Sequence, residues 1–336
     1  MRVTENASLE HLNSFGVQAR STFLVELFSE QDIQAFAVDQ RFRDLPRLVM
    51  GGGSNLLLTR DFEGVVLRPA LRGIQYLHQD QEAHYVRACA GEPWHHLVQW
   101  TLGRGYAGLE NLSLIPGLCG AAPIQNIGAY GVELRDRFAG LTSASPCTGD
   151  STHFDADACD FGYRRSRFKD QPIGSCLIVD ITLKLPRNWQ PKLDYPGLAE
   201  RLKHLHGEAP SAIAIGAAVC SLRRSKLPDP SAIGNAGSFF KNPIVTRHGL
   251  RDSRLHGQNN HPQEDGRFKL SAAALIEACG WKGYREGDAG VSDRHALVLV
   301  NHGRATGAQL WALARRIQDS VESRFGLRLE PEPLII

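Results

Sequence analysis

Residues 234–243 read "GNAGSFFKNP": one hydroxyl between a run of small residues and two phenylalanines, with Lys241 and Asn242 behind it. A surface turn explains Gly234 and Gly237, but turns rarely run on into Phe239-Phe240. An active-site serine explains both, provided the chain supplies something for it to act on. Two other stretches are rich in accessible backbone. In "GGGSN" (51–55) consecutive glycines let N–H groups encircle an anion, and Ser54 and Asn55 add side-chain donors. In "IPGLCGAAPIQNIGAYG" (115–131), Gly117, Gly120, Ala121 and Ala122 are small enough for a cofactor to press against backbone. Gln125 and Asn126 carry amides that can read the edge of a heteroaromatic ring, and Gly128 and Gly131 with Tyr130 shape the exit. One such loop is equally well a tight turn between strands. Two in the same half point to an extended ligand, with a pyrophosphate at one and a planar ring at the other.

Familiar alternatives fail on context. The loop at 51–55 leads into "LLL" and a second strand rather than a helix, which excludes the dinucleotide fingerprint, and no G-K-[ST] closes it as a P-loop. The basic stretch "YRRSRFK" (163–169) can wall an anion site or lie on a solvated helix face. A net charge of +2 argues against a nucleic-acid surface. His95, His96 and His302 show no metal spacing and carry no expected catalytic role. The seven cysteines form no C-x-x-C pair and suit reduced thiols. The opening "MRVTENASLEHLNSFG" lacks an apolar signal core, and no apolar stretch is long enough to span a bilayer, so a cytoplasmic protein is expected.

The elements that position these groups read as mixed α+β in at least two domains. "TFLVELF" (22–28), "RLVM" (47–50), "GVVLRP" (64–69), "HYVRACA" (84–90) and "SCLIVDITLKLP" (175–186) are strand-like. Ser29 caps a helix through "EQDIQAFAVDQ", with Asp32 at the reciprocal position, and Pro93 opens another that ends at Gly103 or Gly105. Residues 186–212 suit a junction, and a second unit beginning near 213 opens with a helix broken by Pro228 and Pro230. "ALVLVN" (296–301) is a strand, and Thr306 with Gln309 makes a capping box for a helix that ends at Gly326. "LRLEPE" (327–332) is expected to return as a strand, with Glu330 and Glu332 on one face and Pro331 marking an edge or an end.

"NSFG" (13–16), "GGGSNLLL" (51–58), "NLSLIPGLCGAAPIQNIGAYGVEL" (111–134), "YRRSRFK", "GNAGSFFKNP" and "LEPE" (329–332), in this order, resemble the UDP-N-acetylenolpyruvoylglucosamine reductase family over nearly the whole chain. The resemblance implies an α+β flavin-binding fold of the vanillyl-alcohol-oxidase type. Its two subdomains are expected at 1–68, with 327–336 returning to it, and at 69–212, followed by a substrate-binding domain at 213–326. It implies noncovalent FAD, NADPH as reductant, and reduction of UDP-N-acetylglucosamine enolpyruvate to UDP-N-acetylmuramate for peptidoglycan. Hydride passes through the flavin N5, and the proton comes from Ser238. Ala236 and Gly237 then allow close approach, and Phe239-Phe240 exclude water. Arg164 corresponds to the catalytic arginine, whose fork suits a carboxylate or its enolate form, while Arg165 and Arg167 read as solvated charge. Glu332 corresponds to the catalytic glutamate, although strand parity does not separate it from Glu330. Flavin contacts carry over to Gly51, Gly52, Gly53, Ser54, Asn55 and Leu56, and to Pro116, Gly117, Gly120, Ala121, Ala122, Gln125, Asn126, Gly128 and Ala129. "KLDYPGL" (192–198) matches the tyrosine loop of the longer form of the enzyme, which carries Tyr195 over as a substrate contact, with Lys226 and Asn242. A plain surface lysine and a structural turn asparagine remain alternatives for these last two. The tail "PLII" lacks the arginine some members carry after the glutamate. A monomer is expected, with no nucleic-acid or membrane partner. A flavin oxidase of the same fold and a nucleotide-sugar binding protein without turnover are the competing readings.

Overall fold

The computed structural model describes residues 1–203, 209–251, 253–255, 258, 260–263 and 265–336. They form two compact units: Met1–Ala7, Ser21–Gly52 and Phe62–Ser225, and then Ser8–Arg20, Gly53–Asp61 and Lys226–Ile336.

The first unit holds two sheets. Strands β1 (Arg2–Ser8), β2 (Arg20–Leu27), β3 (Arg47–Val49) and β5 (Phe62–Pro69) lie in the order β1-β2-β5-β3, while the intervening β4 (Leu56–Leu57) belongs to the second unit. The β2–β5 and β3–β5 pairs are parallel. Parallel pairing needs a crossover, supplied by α1 (Glu30–Val38). Ser29 caps it as expected, accepting the Asp32 N–H at 3.2 Å, and the Asp32 carboxylate accepts the Phe28 N–H at 2.8 Å. Val25, Leu27, Ile33, Phe36, Val65 and Leu67 form the core beneath.

The second sheet, antiparallel throughout, is built from β6 (Ile74–Gln79) and β7 (Ala83–Cys89), and farther along the chain from β10 (Phe138–Ala144), β11 (Ser151–Asp155) and β12 (Leu177–Pro186). Between its halves come α2 (Trp94–Leu102) and a hairpin of β8 (Gly128–Ala129) and β9 (Val132–Glu133). The hairpin turns at Tyr130 (φ +50°) and Gly131 (φ +83°), the paired left-handed angles that match strand twist. Ala144, Leu177 and Val179 of this sheet share the core of the first, which makes the two sheets one unit. The expected junction contains a short helix α3 (Leu198–Arg201), and its residues 204–208 lie outside the described residues. Helix α4 (Ala212–Lys226) buries Ile215, Ala218, Val219 and Leu222 against Leu198 and Leu202. That packing places it in the first compact unit, whose last segment ends at Ser225.

In the second unit β13 (Ile244–Val245), β14 (Asn260–Pro262) and β15 (Phe268–Leu270) form one small sheet, followed by α5 (Ala272–Ala278). Strands β16 (Arg285–Glu286), β17 (Ala289–Val291) and β18 (Leu299–Asn301) form another. Helix α6 (Gly307–Phe325) has the expected reciprocal box of Thr306 and Gln309 and ends at Gly326 in a left-handed C-cap. "LRLEPE" does not return as a strand; the strand is β19 (Leu334–Ile335), parallel to β4. Residues 329–332 are instead bonded piecewise: Leu329 O accepts from buried Gln318 Nε2 at 2.7 Å and Glu330 O from Lys241 N at 2.9 Å.

Candidate active site

The two glycine loops meet within the first unit. A side chain begun at Gly51 would touch Ala121 Cβ at 3.5 Å, and one at Gly52 would stand 3.1 Å from Gly117 Cα. The second loop is held along residues 90–94: Gly120 N–H donates to Ala90 O at 3.0 Å, Cys119 N–H to Glu92 O at 2.8 Å, and Trp94 N–H to Gly117 O at 3.0 Å. Gly120 has no alternative residue, since a Cβ there would lie 2.6 Å from Ala90 Cβ. Gly120→Ala is therefore expected to shift the loop, lower stability by about 1–3 kcal/mol and release flavin at a lower temperature. Thermal melts followed by flavin fluorescence check this; an unchanged release temperature would show that the loop tolerates the methyl.

The remaining members of the two loops divide by environment. Ala122 is buried in the core, whereas Ala121 and Pro116 are exposed. Gln125 and Ala129 are half-buried. In the second unit Gly53 (φ +60°) accepts the Ser14 N–H at 3.0 Å, and Leu56 is buried in β4. Ser54 is half-buried, and Asn55 Nδ2 lies 3.4 Å from Glu332 O while its carbonyl accepts Leu334 N–H. Asn55 therefore ties down the tail that carries the glutamate.

Asn126 corrects its expected role. It is fully buried, its Nδ2 donates to Glu133 Oε2 at 2.9 Å and Gly162 O at 3.0 Å, and its Oδ1 accepts Arg135 N–H at 3.0 Å. Both amide donors are spent inside the protein, so none is left to read a ring edge. Its work is to anchor the turn that carries Arg164. Gly162 and Arg165 exchange backbone hydrogen bonds across that turn, Arg164 sits at φ +53°, and its Nη2 donates to Gly128 O at 3.0 Å. Ser166 adds a bond to Ile124 O at 2.7 Å. The two arginines now separate: Arg165 is exposed and paired with Asp170 at 2.9 Å and Asp160 at 3.5 Å, while Arg164 is half-buried against the loop.

Tyr195, 41% exposed, packs edge-on against Tyr130 with ring centroids 4.7 Å apart. Buried Asn111 joins the two, donating to Tyr130 O at 2.8 Å and Lys192 O at 2.9 Å. Burial, and then Arg223 acting against it, leave the Tyr130 phenol above its usual range. Arg223 is the residue the sequence reasoning missed. It lies on α4, half-buried, with Nε donating to Leu114 O at 3.1 Å. Burial pushes its guanidinium down; Tyr130, Cys220 and Tyr195 oppose this, and Arg164 adds to it. Two guanidiniums in each other's field suit an anionic ligand. The available signal was spacing, because Arg223 stands four residues after buried Val219 and three before Lys226.

In the second unit the serine segment is bonded on both sides, to residues 297–301 and 330–332. Isolated bridges join Gly234 to Asn301, Ser238 to Val298 and Phe240 to Pro331. Phe239 N–H donates to Leu297 O at 2.7 Å, and its carbonyl accepts Glu332 N–H at 2.8 Å. Ser238 and Glu332 thus occupy neighbouring segments of one small layer. Asn235, buried, accepts Gly237 N–H at 2.9 Å, and Gly237 (φ +68°) has no other residue within 4 Å of a would-be Cβ. Its left-handed angle is what requires glycine. Phe239 and Phe240 are fully buried, packed on each other, Phe15 and Trp311, so they anchor the segment in the core rather than wall the serine.

The glutamates separate as well. Glu330, with its side chain 73% exposed, pairs with Lys241 at 2.9 Å, whereas Glu332 is half-buried. Asn242 Oδ1 accepts Ala272 N–H at 3.0 Å at the start of α5, a structural bond. Lys226 is exposed and, after burial itself, is the next cause that pushes His295 below its ordinary pKa. No described group of His, Cys, Asp and Glu could hold a metal, and no described helix is long and apolar enough to cross a membrane.

Comparison with known proteins agrees with this arrangement. Residues 22–154 match the FAD binding domain, and residues 229–336 match the UDP-N-acetylenolpyruvoylglucosamine reductase C-terminal domain. The chain is 50% identical to the UDP-N-acetylenolpyruvoylglucosamine reductase of Pseudomonas putida over 98% of its own length and 97% of the relative's. For the protein of the same name from Pseudomonas aeruginosa the identity is 49%, over 99% and 98%. Among solved structures, the UDP-N-acetylenolpyruvylglucosamine reductase of Thermus caldophilus superposes with a TM-score of 0.69 at 26% identity, covering 100% of this chain and 99% of that one. A 6-hydroxy-D-nicotine oxidase from Arthrobacter nicotinovorans, at 15% identity and a TM-score of 0.54 over 97% and 86%, shares the fold alone. The fold is thus an α+β flavin domain of the vanillyl-alcohol-oxidase type joined to a reductase C-terminal domain. With one half of its residues identical to such enzymes from end to end, the chain belongs to the UDP-N-acetylenolpyruvoylglucosamine reductase family.

Proposed function

We propose that the chain reduces UDP-N-acetylglucosamine enolpyruvate to UDP-N-acetylmuramate in peptidoglycan precursor synthesis, with NADPH as reductant and Ser238 as proton donor. The observation that carries this reading is the Phe239 peptide, which fastens the serine segment to the glutamate segment. The two glycine loops fit FAD, since a Cβ at Gly52 would fill the gap to Gly117. Gly51, Gly52 and Gly53 with Ser54 and Asn55 would hold it at one end, and Gly117, Gly120, Ala121 and Gly128 at the other. FAD, when bound, supplies the hydride chemistry. Arg164, fixed to Gly128 O, holds the substrate carboxylate and the negative charge that spreads into it. The Ser238 hydroxyl delivers its proton to the carbon beside that carboxylate. Glu332 supports this protonation, and Tyr195, Lys226, Arg223 and Asn242 bind the nucleotide sugar.

In this reading residues 1–68 and 69–212 carry the two flavin lobes, with 327–336 belonging to the first, and 213–326 supply the substrate domain. The chain works as a cytoplasmic monomer without nucleic-acid or membrane partners. The flavin is held without a covalent bond: Cys119, the one cysteine of the two loops, is fully buried, and burial holds its thiol protonated. Denaturation should release all flavin into the supernatant; flavin left on the precipitated chain would contradict this. The reaction itself is tested in deuterated buffer. One NADPH should be consumed per UDP-N-acetylmuramate formed, with solvent deuterium at the carbon beside the carboxylate. NADPH consumption driven by oxygen, with the enolpyruvyl sugar unchanged, would make the protein an oxidase instead.

A further inference from the structure

The Leu114 peptide is held from both sides. Its N–H donates to His95 Nδ1 at 3.0 Å, and its carbonyl accepts Arg223 Nε at 3.1 Å. Leu114 is not a glycine, yet it sits at φ +59°, an angle that costs a branched residue energy and needs such bonds to persist. His95 reaches it from α2, half-buried, and Arg223 from α4. Tyr130, Arg164 and Tyr195 all act electrostatically on the Arg223 guanidinium. A histidine without metal spacing or catalytic partner thus stands one peptide away from a cation in the tyrosine cluster.

We propose that His95 is a positioning residue for substrate binding: its ring nitrogen fixes the Leu114 peptide, and that peptide aims Arg223 at the anionic nucleotide sugar. This rests on the reading of Arg223 as a substrate contact. Accepting at Nδ1 requires the ring proton to be on Nε2, so the neutral tautomer is the working one. Burial first, then Arg224 and Arg223 on α4, hold His95 below the ordinary imidazole pKa. These two arginines are the charged groups acting on it, since the neighbouring His96 on its own helix is turned to Glu92 at 3.2 Å. The neutral acceptor therefore persists through neutral pH. It is lost as pH falls through the depressed value, when protonation turns the acceptor into a second donor facing Leu114 N–H.

Calorimetric titration of oxidised, flavin-loaded protein with UDP-N-acetylglucosamine enolpyruvate, without NADPH, reads the binding directly. His95→Leu should weaken the dissociation constant by about 5–30-fold, the factor for one to two kcal/mol from a lost buried hydrogen bond. His95→Asn places Oδ1 near the old Nδ1 and should bind within about threefold of the natural protein by keeping that same bond. Because Asn does not titrate, the natural protein should lose affinity relative to His95→Asn as pH falls, and this ratio cancels titration of the ligand. Combining His95→Leu with Arg223→Ala should be little worse than Arg223→Ala alone. If Arg223→Ala weakens binding while His95→Leu does not, the role of His95 is wrong. If Arg223→Ala leaves binding unchanged, the underlying reading of Arg223 is wrong. Should His95→Leu fail to fold, a pH-independent ratio between the natural protein and His95→Asn would overturn the proposal.

Discussion

Replacing Ser238 by Ala is expected to leave flavin content and the bleaching by NADPH nearly intact, while reoxidation by the enolpyruvyl sugar slows by roughly 10²–10⁴-fold, the range for losing a positioned general acid. The reason lies in where the serine stands. Its segment is fixed by backbone bonds at Phe239 and by the buried Phe239 and Phe240 rings, none of which involves the hydroxyl. Removing Oγ should therefore cost chemistry without moving the backbone. A thiol can deliver a proton from nearly the same position, so Ser238→Cys should recover part of the rate. Stopped-flow absorbance on pre-reduced protein mixed with substrate separates the half-reactions. Equal losses in both would mean that the substitution disturbed the fold, and an undiminished reoxidation would move the donor elsewhere.

Glu332→Gln is expected to slow the same half-reaction by about 10²–10³-fold, in line with losing one charged group aimed at the reacting centre. The amide keeps the shape of the side chain, and the bond from Glu332 N–H to Phe239 O is backbone, so the layer that holds Ser238 should survive. Glu330→Gln provides the contrast. Its carboxylate is mostly exposed and pairs with Lys241 at the surface, where such pairs contribute little. Reoxidation in that variant should stay within about twofold, the span of a surface pair worth a few tenths of a kcal/mol. The opposite pattern, with Glu330→Gln impaired and Glu332→Gln normal, would exchange the roles of the two.

What the sequence disclosed followed from local rules. Ser29, Thr306 and Gly326 announce helix ends by capping chemistry, which acts within a few residues. The long strand at 177–186 shows its alternation openly. The two glycine loops were legible as a pair, and they do meet through Gly52 and Gly117. What stayed hidden depends on partners remote in sequence. Asn126 reads as a ligand-facing amide until Glu133 and Gly162 are seen to take both donors. Strand parity gave Glu330 and Glu332 one face, and a lysine from the serine segment separates them. Helix α4 was assigned by order along the chain, whereas its apolar face packs on Leu198 and Leu202. Arg223 carries no motif of its own, and only folding brings Leu114 and the two tyrosines around it.

In the proposed reaction electrons pass from NADPH through a bound flavin to an enolpyruvyl sugar. An anaerobic visible spectrum of the purified protein tests this directly. It should show a flavin band that NADPH bleaches and that one equivalent of UDP-N-acetylglucosamine enolpyruvate restores. A colourless protein, or a bleached flavin that recovers in air but not with the enolpyruvyl sugar, would contradict it.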